Sequence, residues 1–194
     1  ANWDIAWEWF NKHKNNLVIA YSDDDAIDRL IEGEINMTFA WDNHIRERMK
    51  KEEFLSSMKI YIHENDSDAL MEPKHNLSMM GGIFFKTSPA DYKLKDGDEI
   101  NEAGITLKVL HTPGHTPGGV CYYSQDQKVL FSGDTLFSDS VGRTDLKGGN
   151  MQQLLSSIKD KLIPLDDDTK VLPGHGSETT MGYEKKYNQY LQQL

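Results

Sequence analysis

The chain has 194 residues and a formal net charge of −10, enough length for one compact domain with a sizeable core. The acidic balance, without a cluster of Lys and Arg, excludes a nucleic-acid partner. Its one cysteine, Cys121, excludes an internal disulfide, and the first residues lack the apolar region of a secretory signal. We therefore expect one cytoplasmic domain over residues 1–194, a monomer or small homo-oligomer without a membrane partner.

The first third of the chain predicts two helices followed by a strand. The acidic run 23–25 is typical of a helix N-terminus, and the apolar spacing over 26–31 continues a helix that stops at Gly33. A less regular apolar pattern over 45–58 predicts a second helix. The alternation over 59–64 then predicts a strand.

The second half of the chain predicts four short strands and two helices. Apolar alternation or short apolar runs bounded by turn residues indicate strands at 105–109, 120–123, 128–131 and 171–172. Asn150 is a candidate N-cap for a helix with one apolar stripe, formed by Met151, Leu154, Leu155, Ile158 and Leu162. A C-terminal amphipathic helix is predicted with the apolar face Tyr183, Tyr187, Tyr190, Leu191 and Leu194. The pattern alone indicates mixed α and β structure.

Three loops follow predicted strands and carry side chains that bind metals. The segment 111–118 reads HTPGHTPG and contains His115, 131–136 reads FSGDTL and contains Asp134, and 172–176 reads LPGHG and contains His175. Zinc takes neutral imidazole and carboxylate ligands at about 2.0 to 2.2 Å, and a catalytic site keeps one position for water. The three loops therefore indicate a metal-site ancestry, whereas His111 is interpreted as a structural partner of the His115 loop.

These segments resemble the metallo-β-lactamase superfamily over nearly the whole chain, in particular its short glyoxalase II-like hydrolases. The resemblance implies an α/β fold, the αββα sandwich, with two mixed sheets and helices outside. In the family, an HxHxDH motif and three later residues hold a pair of metals. The corresponding positions here are Phe39, Trp41, Asn43, His44, His115, Asp134 and His175.

The resemblance implies an altered metal site, because Phe39, Trp41 and Asn43 replace three of the family's ligands. His44, Asp134 and His175 would then hold at most one zinc per chain, with iron or manganese as alternatives. His115 becomes a neighbouring or proton-transfer group, so that Asp134 and His115 are the candidate catalytic residues. Asp42 replaces the lost aspartate only if the loop is shifted by one residue.

Large aromatic residues are concentrated beside the lost ligands. All four tryptophans lie within the first 41 residues, whereas the later ligand loops are intact. This distribution favours a remodelled or engineered hydrolase scaffold over gradual decay of the site.

Two functions follow from this interpretation. The first is metal-dependent hydrolysis of a small thioester or ester by zinc-bound hydroxide, with weak or no native activity. The second is a non-catalytic scaffold or binding protein, in which Trp3, Tyr21, Phe39 and Trp41 would line an apolar cleft. Metal analysis of protein purified without a metal-affinity tag would discriminate between them.

The remaining polar residues have structural interpretations. Cys121 is expected in the core, and His13, His63 and His75 are expected to be solvated. For Arg143 and Asp145, an ion pair that holds its loop is favoured over direct substrate contact. The run 166–168 is interpreted as a solvated turn.

Overall fold

The computed structural model describes residues 59–76, 86, 88–102 and 105–194. The chain divides into two compact units, one of residues 1–58 with 100–106 and the other of residues 59–99 with 107–194. Nearly all the described residues belong to the second unit. The helices expected at 26–31 and 45–58 lie outside the described residues, and the single domain over 1–194 stays a prediction.

The described residues form short strands and short helices. The strands are β1 (Tyr61–His63), β2 (Tyr92–Leu94), β3 (Glu99–Glu102), β4 (Ile105–His111), β5 (Val120–Ser124), β6 (Val129–Gly133), β7 (Leu136–Phe137), β8 (Ser140–Val141), β9 (Lys170–Pro173) and β10 (Thr179–Thr180). The α-helices are α1 (Met151–Ser157) and α2 (Met181–Tyr187). The 3-10 helices are Glu64–Leu70 and Leu191–Gln193, and a π-helical turn spans Ile158–Leu162.

The main sheet has the strand order β10-β9-β6-β5-β4-β3. Strands β4, β5 and β6 are antiparallel neighbours, whereas β6 and β9 are parallel. Strands β4, β6 and β9 therefore run in the same direction, and their carboxyl ends meet at one edge of the sheet. A parallel pair, β1-β2, and an antiparallel hairpin, β7-β8, complete the described strands. The strands predicted at 59–64, 105–109, 120–123, 128–131 and 171–172 are confirmed as β1, β4, β5, β6 and β9.

The core lies between the sheet and the helical segment 151–162. Its buried residues are Leu110, Cys121, Leu130, Leu136, Val141, Leu154, Ile158, Leu162, Val171, Met181 and Leu191. Each large aliphatic side chain buried there contributes about 1.5 to 3 kcal/mol. Cys121 is fully buried as predicted, and burial raises the pKa of its thiol to about 11. The thiol is therefore unsuited to act as a nucleophile.

Helix α1 begins as its sequence predicts. The Asn150 side chain accepts a hydrogen bond from the Gln153 amide at 3.0 Å, which caps the helix. Leu154, Ile158 and Leu162 are fully buried, although the last two belong to the π-helical turn. Met151, predicted on the same stripe, is 37% exposed, so the buried stripe begins one turn later than expected.

The predicted apolar face of the C-terminal helix is wrong for its first two tyrosines. Tyr183 and Tyr187 are exposed, whereas Leu191 is buried and Tyr190 and Leu194 pack against the core as predicted. The inward-facing residues of α2 are Met181 and Glu184, both fully buried. The Glu184 carboxylate accepts hydrogen bonds from the Asp139 amide, the Thr179 hydroxyl and the Asn188 side chain at 2.6 to 3.0 Å. Three donors compensate for burying the carboxylate, which is why a charged residue rather than a tyrosine faces inward. Helix α2 also ends at Tyr187, earlier than predicted.

The predicted solvation of His63 is wrong too, although exposed His75 agrees with its prediction. His63 ends β1, is 4% exposed, and its ring stacks on that of His111 with the centroids 3.8 Å apart. Burial is the main cause that lowers the pKa of His63, and the neighbouring His111 charge is the second. His13 lies outside the described residues. No helix in the described ranges combines the length and apolarity needed to cross a bilayer.

Candidate metal centre

Three of the predicted site residues lie together at the carboxyl edge of the main sheet. His115 is in the loop after β4, Asp134 follows β6, and His175 follows β9. The Nε2 atoms of His115 and His175 each lie 3.5 Å from the Asp134 carboxylate. The sheet topology thus joins residues that are up to sixty positions apart in the sequence.

The orientation of His115 is fixed by a backbone carbonyl. Its Nδ1 lies 2.7 Å from the carbonyl oxygen of Arg143. A carbonyl oxygen only accepts hydrogen bonds, so Nδ1 donates to it, and in the neutral ring Nε2, on the side of Asp134, is the nitrogen without a proton. This is the tautomer that a metal ligand or a proton acceptor requires. The His115 side chain is 21% exposed, which leaves it accessible from solvent.

The loop that supplies this carbonyl is held by an ion pair. The Arg143 guanidinium donates two hydrogen bonds of 2.7 Å to the Asp145 carboxylate. The same pairing lowers the pKa of Asp145 to about 2 and raises that of Arg143. The predicted ion pair between Arg143 and Asp145 is confirmed. It links two residues of the loop that carries the Arg143 carbonyl.

The Asp134 carboxylate lies between the two histidines. Its Oδ2 faces His115 and its Oδ1 faces His175. Both separations of 3.5 Å exceed the roughly 2.7 to 2.9 Å of charge-assisted hydrogen bonds. Gly174 is required here, because a Cβ at this position would collide with Asp134 Oδ1 and crowd the Gly133 carbonyl.

Buried hydroxyl groups connect the loops beneath the site. The Thr112 hydroxyl lies 3.0 Å from that of Thr135, and both side chains are buried. Thr112 also lies 3.4 Å from the Cys121 sulfur. Ser132 donates to the Leu136 carbonyl at 2.7 Å, which fixes the turn that contains Asp134. The His115 and Asp134 loops therefore share a buried polar connection.

His175 lies at the open side of the site. Its side chain is 51% exposed, and its ring centroid is 6.0 Å from that of Phe137 in the β7-β8 hairpin. The preceding Gly174 amide donates to the Gly133 carbonyl at 2.8 Å. This backbone bond places His175 directly beside the segment that carries Asp134.

The donor set suits a divalent transition metal but is incomplete within the described ranges. Imidazole nitrogens and a carboxylate are ligands of zinc, iron and manganese. Among the described residues, no three His, Cys, Asp or Glu side chains form a group that could hold an ion by themselves. The predicted ligand His44 lies outside the described residues, as do Asp42 and the substituted positions Phe39, Trp41 and Asn43.

The sequence analysis missed two supports of the site. The Arg143 carbonyl could not be found from side-chain chemistry, since any residue supplies the same group. Asp66 accepts hydrogen bonds from Thr116 and Gly118 beside His115, although it lies about fifty residues earlier. An acidic residue shortly after a predicted strand was the one available signal, and it also fits an ordinary helix start.

A family model of the Metallo-beta-lactamase superfamily matches residues 44–175. The chain belongs to this superfamily. The matched range begins at His44 and ends at His175, so it includes all four predicted metal-site residues. The α/β sandwich fold expected from the resemblance is confirmed.

Curated relatives include proteins described as metallo-hydrolases. An uncharacterized protein of Mycobacterium tuberculosis is 43% identical over 145 residues, which are 69% of this chain and 65% of the relative. The probable metallo-hydrolase YqgX of Bacillus subtilis is 43% identical over 133 residues, or 68% of this chain and 63% of the relative. The chain thus spans somewhat less than two thirds of these relatives. Hydroxyacylglutathione hydrolase GloC of Haemophilus influenzae is 44% identical over 97 residues, or 50% of this chain and 46% of the relative.

Solved structures show the same fold over most of the chain. The BLEG-1 B3 metallo-beta-lactamase aligns with a TM-score of 0.75 and 34% identity, covering 89% of this chain and 88% of that structure. TTHA1623, solved in a di-iron-bound form, aligns with a TM-score of 0.68 and 28% identity, covering 90% and 89%. The bound iron pair is a feature of the TTHA1623 structure.

Proposed function

We propose that this protein is a glyoxalase II-like, metal-dependent hydrolase of a small thioester or ester. The observation that carries the proposal is the position of Asp134, with one carboxylate oxygen facing each of two imidazoles at the carboxyl ends of β6, β4 and β9. The loops after these three strands converge there. Membership of the superfamily and relatives named as metallo-hydrolases support the same chemistry.

In this proposal, one divalent ion is held by His44, Asp134 and His175. Zinc is the first candidate, and iron or manganese fits the same nitrogen and oxygen donors. Such an ion supplies Lewis acidity toward a carbonyl oxygen and lowers the pKa of water toward about 7. Because Phe39 and Trp41 offer no ligand atom and the neutral Asn43 amide is a weaker ligand than a carboxylate, we propose at most one tightly bound ion per chain.

His115 is proposed as the proton-transfer group. The Arg143 carbonyl holds the proton on Nδ1, so Nε2 is the atom that accepts a proton near Asp134. The Asp134 carboxylate stabilises the imidazolium that results, since the opposite charge lies within 3.5 Å. The fixed ring orientation avoids a reorientation step during proton transfer.

The substrate is proposed to be a thioester, with a glutathione thioester as one member of the class. The support is the similarity to GloC, which covers half of this chain. The ester alternative remains within the proposal because the same residues would act on either acyl group. A nucleic-acid partner is not proposed, and we expect a monomer or small homo-oligomer.

Hydrolysis after controlled metal loading tests this function. Protein purified without a metal-affinity tag should hydrolyse an acyl thioester, lose the activity in a chelator, and regain it with zinc, iron or manganese. Asp134→Asn keeps the side-chain shape but removes the charge, and should reduce kcat/KM by about 100-fold or more. Hydrolysis that survives exhaustive chelation would contradict the proposal. An apo protein that binds none of these metals would also contradict it.

The altered first site has a separate test. Titration should show one tight ion in the parent, whereas the combined substitutions Phe39→His, Trp41→His and Asn43→Asp should add a second. Each single substitution should add none, because one new ligand leaves that site incomplete. Two tight ions in the parent protein would show that the proposed stoichiometry is wrong, without bearing on thioester hydrolysis itself.

A further inference from the structure

The 3-10 helix Glu64–Leu70 lies against the loop that carries His115. Within it, the Asp66 carboxylate accepts a hydrogen bond from the Thr116 hydroxyl at 2.6 Å and another from the Gly118 amide at 2.7 Å. Thr116 directly follows His115 in the chain. One carboxylate therefore binds the loop on both sides of Pro117.

The Pro117 carbonyl is held from the same direction. The His111 Nε2 donates to it at 3.0 Å, and the Asn65 side-chain amide donates at 3.4 Å. The hydrogen-bond partners of residues 116–118 thus lie in the 3-10 helix Glu64–Leu70 or in strand β4. Each of these three residues makes at least one hydrogen bond, which restricts the backbone of the segment.

Asp66 is itself held in place. The preceding His63 accepts a hydrogen bond from the Asn65 amide at 3.2 Å, which caps the 3-10 helix, and its ring stacks on His111. His63 is also fixed by the pairing of β1 with β2. The Asp66 carboxylate is therefore held in place by residues outside the loops that carry His115, Asp134 and His175.

From this geometry we infer that Asp66 is a positioning residue, which sets the direction of the His115 ring through Thr116 and Gly118. The inference rests on the proposed role of His115 in proton transfer. The Asp66 carboxylate accepts both bonds at once, one on each oxygen. An alanine at position 66 leaves both loop groups without this partner, whereas an asparagine can keep both contacts, because the Thr116 hydroxyl also accepts from an NH2 group.

The role of the carboxylate is tested by Asp66→Ala, which removes both acceptor oxygens, and by substitutions of its partner. Thr116→Val removes one hydrogen bond at nearly constant shape, whereas Thr116→Ser retains the hydroxyl and is the matched control. Asp168→Asn changes an exposed carboxylate paired with Lys128, and controls for loss of charge alone. Each variant is measured for thermal unfolding, zinc affinity, thioester hydrolysis and the nitrogen-15 NMR signals of the His115 ring.

The expected result separates positioning from folding. Asp66→Ala should abolish the slowly exchanging Nδ1–H signal of His115 and lower kcat by about 10- to 100-fold. Zinc affinity should change by less than about threefold, because Asp134 and His175 are outside this loop. Thr116→Val should show the same effects to a smaller degree, while Thr116→Ser and Asp168→Asn should match the parent.

Failure of this inference can be distinguished from failure of the proposed function. An Asp66→Ala variant that retains the Nδ1–H signal and full kcat overturns the positioning role and leaves the hydrolase proposal intact. If the parent hydrolyses nothing, the function is wrong, and the His115 signal of the metal-free protein still decides the role of Asp66. If Asp66→Ala does not fold, Thr116→Val with an unchanged His115 signal overturns the inference.

Discussion

The loops that carry His115 and His175 are held in different ways. The His115 loop is bound by side chains and backbone from three other segments: Asp66, Arg143 and the start of α1. The His175 loop is bound to its neighbour by a backbone hydrogen bond from Gly174, and the His175 ring is half exposed. The difference fits the roles proposed above, in which His115 is a pre-oriented proton acceptor and His175 is an accessible metal ligand.

Removing each histidine gives the largest expected effect and tests this division directly. His175→Ala should weaken zinc binding by about 100-fold or more and lower kcat/KM in parallel, because it removes one of three proposed ligands. His115→Ala should retain the ion and lower kcat by about 100-fold, the usual contribution of general acid-base catalysis. Titration and hydrolysis of the metal-loaded variants measure both. If His115→Ala loses the ion instead, the two loops have the same role.

Gly114→Ala should be the most destabilising glycine change in these loops. Gly114 has φ +142°, and a Cβ there would collide with the backbone of Leu154 in α1. Neither backbone can yield without displacing the core, so we expect a loss of about 3 kcal/mol in the free energy of unfolding. Urea denaturation of the metal-free protein measures it. A loss below about 1 kcal/mol would show that the His115 loop is less closely packed than the structure indicates.

Gly174→Ala should act on the site more than on the fold. Its Cβ would meet the Asp134 carboxylate, which can rotate away, so the expected loss of stability is about 1 kcal/mol. A displaced carboxylate should nevertheless weaken zinc binding by roughly 10-fold. The same denaturation and titration, compared with Gly114→Ala, reveal the contrast. Equal loss of stability in both variants would remove the distinction between the loops.

The smallest effect is the pH dependence that His63 confers on the support of the His115 loop. Because the folded-state pKa of His63 is lowered, the unfolded chain binds more protons between that pKa and about 6.5. The contribution of His63 is therefore fully present above about pH 6.5 and is lost as the pH falls through the folded-state pKa.

His63→Asn keeps an acceptor for the Asn65 amide but has no titrating ring. Melting temperatures of the metal-free parent and variant at about pH 5 and about pH 8 should show a smaller pH difference in the variant. An unchanged pH difference would assign it to other groups.

Local patterns predicted five of the ten described strands, β1, β4, β5, β6 and β9, together with the three ligand loops, because each of these depends on nearby residues. The alternation over 105–109 and the Pro/Gly turn after it are sufficient to place His115 after a strand. In the same way, Asn150 is sufficient to place the start of α1. The predicted solvation of His63 was wrong because its burial depends on pairing with β2 and on stacking against His111, which lies nearly fifty residues away. Hydropathy also assigns Glu184 to solvent, whereas donors from distant segments stabilise it inside.

The hydrogen bond between the Gly174 amide and the Gly133 carbonyl has an evolutionary consequence. It joins two ligand-bearing segments through main-chain atoms, which are the same for any side chains at 134 and 175. Mutations can therefore exchange the chemistry at these two positions while the framework that brings them together is inherited unchanged. Related proteins that share this hydrogen bond can lose one reaction and acquire another while they keep the same fold.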